Sequence, residues 1–178
     1  IDTCLTRYSE RGEITLLRLP ENIGRGGARN HAINATSGQL VAIMDADDIC
    51  RPTRLAQQSD FVKRHDIDVL GGLMAEFDRV VGDNISIRNV PQNHYSICRM
   101  LRRRSAFNHV TLMFRRKVFD QIGGYRPLNY VEDWDFYLRC ENAGARFANL
   151  ETVLVDVRRA LSRRRSIEYF REEMRVMN

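Results

Sequence analysis

Three aspartates follow a short apolar segment in the stretch LVAIMDADDICRP, which spans residues 40–52. They are Asp45, Asp47 and Asp48, and no lysine or arginine stands between them. Carboxylates this close repel one another and raise each other's pKa. A divalent cation would remove the repulsion, because hard carboxylate oxygens suit Mg²⁺ and Mn²⁺. Two such ligands at a strand end would leave coordination positions open for water and for the phosphates of a nucleotide.

The aspartate motif alone is also compatible with a structural role. Asp residues often cap helices and occupy turns, and Pro52 predicts a helix start just after the cluster. A second acidic pair, Glu132 and Asp133, opens another predicted helix. That pair could simply complement the helix dipole. The residue types alone favour this structural interpretation.

The composition fits one globular domain with an affinity for anions. The chain has 178 residues, a net charge of +5 and 43% hydrophobic residues. Only Lys63 and Lys117 are lysines, so 26 of the 28 basic residues are arginine, whose guanidinium can hold phosphate at two points. A codon bias towards arginine is the simpler explanation. The alternative is a phosphate-rich partner: a nucleotide, an anionic membrane surface or nucleic acid.

Several features argue about compartment and partner. No apolar run approaches the roughly 18 residues of a membrane span, and no secretory signal is visible. The four cysteines are scattered without a C-x-x-C pair, which favours reduced thiols in the cytoplasm. Aromatic residues make up 8% and do not alternate with the arginine runs, which argues against nucleic-acid binding.

The first half of the chain alternates predicted strands and helices. Strands are expected over residues 13–19, 40–44 and 68–78, a helix over 25–37, and another helix after Pro52. This rhythm predicts an α/β fold with a mostly parallel sheet flanked by helices. Ligands of such sheets bind outside the carboxyl ends of the strands, which is where the aspartates stand.

The second half is less regular. A loop or hairpin is expected over residues 79–93, and the remaining segments read as helices or short strands. Helices are predicted over 95–104, 117–125, 131–144 and 166–177, and strands over 109–116 and 152–158.

Two blocks of sequence resemble the family 2 glycosyltransferases of GT-A fold. ENIGRGGARNHAINATSGQLVAIMDADDICRPTRL, residues 21–55, runs from an N-x-G turn through an A-R-N helix start to a D-x-D-D strand end and a Pro-led helix. The second block, residues 107–158, contains a G-G-Y turn, an E-D pair on a helix and a late apolar strand ending in arginine. The GT-A fold is Rossmann-like, so the resemblance agrees with the predicted α/β class.

The resemblance implies a role for each matching residue. Asp47 would be the principal ligand of Mn²⁺ or Mg²⁺, and Asp45 would assist the metal or hold the ribose. Arg29 and Asn30 would lie near the nucleotide. Asp133 would be the catalytic base that takes the proton of an acceptor hydroxyl, giving single displacement with inversion.

The basic segment RRALSRRRS, residues 158–166, matches the part of the family that closes over the donor. The resemblance implies that Arg158 contacts the sugar nucleotide. Family members often have a histidine here, and its absence puts a third protein ligand for the metal in doubt. Together with residues 99–105 and the terminal helix, the segment could also dock on anionic lipid or remain a solvated surface.

The whole chain is expected to be one glycosyltransferase domain. Residues 1–78 would be the remainder of the nucleotide-binding half, 79–157 the acceptor-side half and 158–178 a basic terminal helix. The family normally begins with a further strand–helix–strand unit, and the sequence from Ile1 onwards resembles the segment that follows this unit. A fragment with weak or no activity is therefore expected, and its exposed sheet edge could pair in a homodimer.

The expected function follows from the same resemblance. A hexose, galactose favoured, would move from a UDP-sugar donor to a lipid-linked saccharide acceptor in the synthesis of bacterial O-antigen or capsule. The transfer reaction would take place in the cytoplasm, at the inner face of the cell membrane. The alternatives are a nucleotidyltransferase, a basic nucleic-acid-binding module and a non-catalytic interaction domain.

Overall fold

The computed structural model describes residues 8–12, 14–158 and 167–177. The strands are β1 (Leu40–Ala42), β2 (Ile49–Cys50), β3 (Val69–Phe77), β4 (Asn84–Arg88), β5 (Met113–Arg115) and β6 (Phe147–Arg158). The helices are α1 (Gly24–Asn34), α2 (Arg54–His65), α3 (His94–Leu101), α4 (Arg116–Ile122), α5 (Glu132–Asn142) and α6 (Ile167–Met177), with a 3₁₀ turn at His109–Thr111. Within these ranges, no helix is long and apolar enough to cross a membrane.

The strands form one sheet in the order β1–β5–β3–β6–β2. β5 pairs with the start of β3, and β4 pairs with its carboxyl-terminal half. Only β3 and β6 pair in parallel in the described part of the chain; the other four pairings are antiparallel. The predicted α/β class is confirmed, but the mostly parallel pairing is corrected to a mixed sheet. β5 lies between β1 and β3, and the order of strands along the chain does not reveal that insertion.

Strand β3 is the centre of the sheet. Its residues are buried from Val69 through Ala75, which is why this segment is an almost unbroken apolar run. Gly71 and Gly72 lack a side chain where the neighbouring strand β6 approaches: a Cβ on Gly71 would collide with Asn149, and one on Gly72 would lie 2.5 Å from a Leu154 methyl. The two glycines therefore allow β6 side chains to pack directly on the β3 backbone.

Several predicted boundaries shift. The strand expected over 13–19 is wrong for residues 14–19, which have no hydrogen-bonded strand partner among the described residues. Helix α1 ends at Asn34 instead of continuing to residue 37, and α2 begins at Arg54, two residues beyond Pro52. An apolar run becomes a strand only where a neighbouring strand satisfies its backbone, and the local sequence cannot supply that neighbour.

Helix α6 docks on the loop that leads into α5. The Glu172 carboxylate accepts hydrogen bonds from the backbone N–H groups of Asn129, at 3.1 Å, and of Tyr130, at 2.9 Å. Tyr169 and Val176 pack against the hydrophobic core, so part of the apolar face of this helix is already covered by protein. The basic segment that precedes it, residues 159–166, lies outside the described residues.

Candidate active site

The three aspartates lie in the turn that follows β1, where the Asp48 N–H donates to the Asp45 carbonyl at 3.3 Å. The pKa of Asp48 is raised to about 6, first by burial and then by the charges of Asp47 and Asp45, while a backbone contact with Arg158 opposes the rise. The carboxylates are therefore close enough to repel one another, as their spacing predicts. The Asp45 side chain is 46% exposed, so the cluster opens to solvent and a ligand can reach it.

A buried arginine fixes the strand end that leads to the cluster. Arg54 is 1% exposed and donates to the carbonyl of Ile43 at 2.8 Å and to the Gln58 side chain at 3.0 Å. Burial lowers the pKa of this guanidinium. Because Ile43 lies two residues before Asp45, the hydrogen bond from α2 determines where the aspartate turn leaves the sheet.

Strand β6 is linked to the same turn through two arginines, Arg51 and Arg158. Arg51 holds the Asp156 carboxylate with two hydrogen bonds, of 3.0 and 2.8 Å, and so ties the residues after the cluster to β6. Arg158 ends this strand, and its guanidinium stacks 4.9 Å from the centre of the Phe77 ring. A backbone hydrogen bond thus links Arg158 to the Asp48 carboxylate, although these residues are far apart in sequence.

Arg29 joins the aspartate turn to the acidic helix α5. Its Nη1 lies 2.8 Å from Glu132 Oε1, and its Nη2 lies 3.8 Å from Asp45 Oδ1. Burial lowers the pKa of Arg29, but the hydrogen bond to Glu132 and nearby negative charge outweigh it, so the net shift is upward. The guanidinium also lies 5.7 Å from the centre of the Tyr125 ring. Arg29 therefore connects the two acidic groups that the sequence singles out.

Asn30 has a structural partner. Its amide donates to the Tyr125 carbonyl and accepts from the Tyr125 N–H, both at 2.8 Å. Gly124, at φ +74°, and Gly26 let the G-G-Y turn and α1 approach each other: a Cβ on Gly26 would lie 2.8 Å from the Arg126 carbonyl oxygen. Asn30 thus fixes α1 on this turn, and its predicted contact with a nucleotide stays a prediction.

Asp133 is partly buried at the start of α5, and its Oδ1 accepts the Trp134 N–H at 2.8 Å. Burial and the neighbouring Glu132 charge raise the pKa of Asp133 to about 6, against the opposing effects of the Trp134 hydrogen bond and of Arg29. A carboxylate with a pKa in this range is a better proton acceptor than an ordinary aspartate at neutral pH. The environment is suited to the predicted base, whose role stays a prediction.

A buried polar group behind the site escaped the sequence analysis. His109 Nδ1 lies 2.6 Å from the Tyr137 hydroxyl, and burial lowers the pKa of His109 well below its usual value. Among the described residues, none is a hydrogen-bond partner of His109 Nε2, the Tyr125 hydroxyl or Glu132 Oε2. Glu132 and Tyr137 lie on α5, whereas His109 and Tyr125 come from other segments, so no local spacing connects the four residues. The family pattern pointed to Tyr125, through the G-G-Y turn, and to Glu132, through the E-D pair.

The metal-binding prediction rests on two carboxylates. In the described part of the chain, no three His, Cys, Asp or Glu side chains converge on a position that could hold a metal ion. Asp45 and Asp47 nevertheless fit a cation that takes its remaining ligands from water and a diphosphate, because the mutual repulsion acting on Asp48 shows how much negative charge is concentrated here. Repulsion of this kind is what a divalent cation relieves.

The mixed α/β sheet, with carboxylates at a strand end and a second acidic pair facing them across an arginine, defines a transferase of the GT-A type. The chain belongs to glycosyl transferase family 2, whose sequence profile matches residues 3–123. This membership favours the glycosyltransferase interpretation over the nucleotidyltransferase and nucleic-acid-binding ones.

Curated relatives bear names from polysaccharide synthesis. An uncharacterized glycosyltransferase of Haemophilus influenzae is 32% identical, over 99% of this chain and 67% of the relative. The amylovoran biosynthesis glycosyltransferase AmsE of Erwinia amylovora is 30% identical, over 96% of this chain and 65% of the relative. The UDP-Gal:alpha-D-GlcNAc-diphosphoundecaprenol beta-1,3-galactosyltransferase of Escherichia coli is 33% identical, over 89% of this chain and 58% of the relative. The chain thus spans 58–67% of the length of these relatives.

Solved structures confirm the fold. A TarS fragment of S. aureus superposes with a TM-score of 0.71 at 23% identity, over 98% of this chain and 50% of the other. The same fragment in complex with UDP-GlcNAc superposes with a TM-score of 0.67 at 21% identity, over 90% of this chain and 46% of the other. Mannosyltransferase PcManGT from Pyrobaculum calidifontis, in complex with GDP-Man and Mn²⁺, superposes with a TM-score of 0.63 at 17% identity. The match covers 98% of this chain and 51% of the other.

Proposed function

We propose that this chain carries the reaction centre of a metal-dependent, inverting hexosyltransferase. It would move a hexose, galactose first, from a UDP-sugar to a lipid-linked saccharide in bacterial surface polysaccharide synthesis. The observation that carries the proposal is the bridge of Arg29 between Asp45 and Glu132. This bridge holds a solvent-open carboxylate cluster and a half-buried carboxylate of raised pKa, Asp133, on either side of one site.

On the donor side, Asp47 and Asp45 would hold Mn²⁺ or Mg²⁺. The metal would neutralise the charge of the diphosphate leaving group. Arg158 would contact the diphosphate from the end of β6, where its backbone hydrogen-bonds to Asp48 and its guanidinium lies on the Phe77 ring. The UDP-GlcNAc complex of TarS and the Mn²⁺ in the mannosyltransferase support a sugar nucleotide with a divalent cation, and the name of the E. coli relative supports UDP-galactose.

On the acceptor side, Asp133 would take the proton of the attacking hydroxyl. Its raised pKa brings it nearer to the working pH, which favours proton transfer. Attack from this side, opposite the departing diphosphate, gives inversion at the sugar carbon. A lipid-linked acceptor is supported by the diphosphoundecaprenol in the name of the E. coli relative, and it would place the reaction at the cytoplasmic face of the membrane.

The donor side is tested by calorimetry of UDP binding with and without Mn²⁺. D47N should abolish the Mn²⁺-dependent part of the affinity, D45N should weaken it, and D133N should leave it intact while transfer is lost. D60N is a matched control, because Asp60 is an exposed carboxylate on α2 that forms an ion pair with Arg64 of the same helix. Unchanged metal dependence in D47N would refute the donor site, and full transfer by D133N would refute the base.

The donor sugar is tested by competition. UDP-galactose, UDP-glucose and UDP-GlcNAc are offered together to the protein with a lipid-diphosphate-linked saccharide, and the products are separated by mass spectrometry and linkage analysis. Galactose transfer should dominate, and the anomeric configuration of the product should be inverted. Retention of configuration, or preference for another hexose, would contradict the corresponding part of the proposal.

A further inference from the structure

Three consecutive arginines, Arg102, Arg103 and Arg104, follow α3 directly, and all three are exposed. None of them forms an ion pair with a carboxylate in the described ranges, unlike Arg29 or Arg146, whose carboxylate partners lie within 2.9 Å. Adjacent like charges repel one another. This turn therefore concentrates positive charge that no described carboxylate pairs with directly.

The helix dipole accounts for only part of this arrangement. A cation in the last turn of a helix gains about 0.3–1 kcal/mol from the partial negative charge there, and the effect fades within one turn. Arg102 occupies the C-cap of α3, whereas Arg103 and Arg104 lie beyond the helix. A dipole argument explains the first arginine and leaves the other two unexplained.

The arginine turn has a defined backbone. The N–H groups of Arg103 and Arg104 both donate to the Met100 carbonyl, at 2.9 and 3.0 Å. Leu101, immediately before the arginines, is fully buried. The side chains therefore project from an anchored turn, which lowers the entropic cost of holding a ligand compared with a free loop.

Trp134 fixes this turn beside Asp133. The Trp134 indole N–H donates to the Leu101 carbonyl at 2.8 Å, and the Trp134 backbone N–H donates to Asp133 Oδ1, also at 2.8 Å. Trp134 is 3% exposed, so its position is set by the core. One buried residue thus hydrogen-bonds to both the proposed base and the residue that precedes the arginines.

We propose that Arg102–Arg104 bind the diphosphate of a lipid-linked acceptor. This inference rests on the proposed transferase function and adds the acceptor subsite to it. The diphosphate of such an acceptor is attached to the sugar that carries the reacting hydroxyl or to a sugar close to it. A guanidinium can hold phosphate with two parallel hydrogen bonds, and a cluster near the base would orient the acceptor hydroxyl towards Asp133.

The binding test uses farnesyl diphosphate as the probe and tryptophan fluorescence as the signal. Trp134 is the single tryptophan of the chain and contacts the arginine turn. Saturating UDP and Mn²⁺ are present, so that the probe cannot report on the donor site. The purified protein should show saturable quenching with farnesyl diphosphate and none with farnesol. The R102Q/R103Q/R104Q variant should bind at least tenfold more weakly.

Two matched variants separate specific binding from net charge. R64Q/R79Q/R88Q removes the same number of charges from exposed positions elsewhere and should bind the probe normally. R102K/R103K/R104K keeps the charge but loses the planar fork, so its affinity should fall between those of the unchanged protein and the glutamine variant. Equal weakening in the control triple would contradict a defined site.

Vesicle binding distinguishes the acceptor from bulk anionic lipid. If the glutamine variant loses binding to phosphatidylglycerol vesicles, relative to phosphatidylcholine vesicles, while its affinity for farnesyl diphosphate is unchanged, the turn is a membrane contact and the proposal is wrong. Absence of saturable probe binding to the unchanged protein also overturns it.

Transfer kinetics complete the test. The glutamine variant should raise the KM for a lipid-diphosphate-linked acceptor at least tenfold and leave the KM for the donor and the affinity for UDP unchanged. Absence of transfer from every UDP-sugar, in a protein that also contains the expected preceding strand–helix–strand unit, would refute the proposed function, whereas the farnesyl diphosphate measurement would still report on the arginine turn. The two failures are therefore distinguishable.

Discussion

Arg29 and Glu132 form an ion pair of 2.8 Å between helices α1 and α5. The Arg29 side chain is 17% exposed and the Glu132 side chain 3%. This pair is a direct polar link between the half of the chain that contains the aspartate turn and the half that contains Asp133. It fixes the separation of the two carboxylate groups on which the proposed reaction depends.

Loss of Arg29 should destabilise the fold as well as the site. R29M would leave the Glu132 carboxylate buried without a cation, and removal of one partner of a buried pair costs about 3–5 kcal/mol. The free energy of unfolding from urea titration measures the loss. Because Arg29 is slightly exposed, we expect a value at the lower end of that range.

A double-mutant cycle supplies the control for the Arg29 experiment. R29M/E132L replaces the pair by apolar side chains and should recover most of the lost stability, since no buried charge remains. If the loss of stability in R29M/E132L equals the sum of the losses in R29M and E132L, the pair contributes no coupling energy. That result would contradict its role as the link between the halves.

The transfer rate should rise with pH through about 6. Asp133 can accept a proton only in its ionised form, and burial together with Glu132 raises its pKa to about 6. In E132Q, the negative charge that favours the protonated form is gone, so the acidic limb of the kcat/KM profile should move to lower pH. The Asp120→Asn variant, on the exposed face of α4, is the control and should leave the limb in place. A limb near pH 4 in the unchanged protein would argue against Asp133 as the base.

Stability should respond to Asp133 with the opposite sign. Folding raises this pKa from 3.8 to about 6, so the folded state binds the proton more tightly, and the favourable contribution present below pH 3.8 is lost as the pH rises through 6. D133N removes the charge and can keep the acceptor oxygen for the Trp134 N–H. At pH 8 its free energy of unfolding should therefore exceed that of the unchanged protein by up to about 3 kcal/mol, and at pH 4 the two values should be almost equal.

Two adjacent glycines of α1 should behave differently when replaced by alanine. A Cβ on Gly26 would lie 2.8 Å from the Arg126 carbonyl oxygen and 3.2 Å from Tyr125 Cβ, so α1 would be pushed off the G-G-Y turn. We expect G26A to cost about 1–3 kcal/mol of unfolding free energy and to lower the transfer rate, because Arg29 lies on the same helix.

G27A is the matched control for that experiment. The three atoms nearest to a Cβ on Gly27 would be side-chain atoms of Ile23, at 3.1–3.3 Å, and Ile23 is a 40% exposed side chain. Alanine also favours a helix interior over glycine by about 1 kcal/mol. G27A should therefore be neutral or stabilising, and equal losses in the two variants would contradict a specific contact at Gly26.

Local patterns were sufficient for the elements that contain the candidate site. The apolar run before Asp45 predicts a strand end with carboxylates, and the spacing of apolar residues after Val131 predicts the helix that carries Asp133. Both follow from periodicity and from the order of motifs along the chain, which involve neighbours a few residues apart. The strand expected over 13–19 is wrong for residues 14–19, because pairing with another strand is not a local property.

Contacts between distant residues depend on the folded chain. Arg29 and Glu132 are 103 positions apart, and their side chains meet because Gly26 and Asn30 pack α1 against the G-G-Y turn. The order of strands in the mixed sheet and the hydrogen bond from Trp134 to Leu101 are likewise absent from any spacing. Sequence specifies which side chains can do chemistry and which short elements hold them, since those depend on local periodicity. The partner of each charge depends on how the elements pack, and packing is settled by burial of the whole core at once.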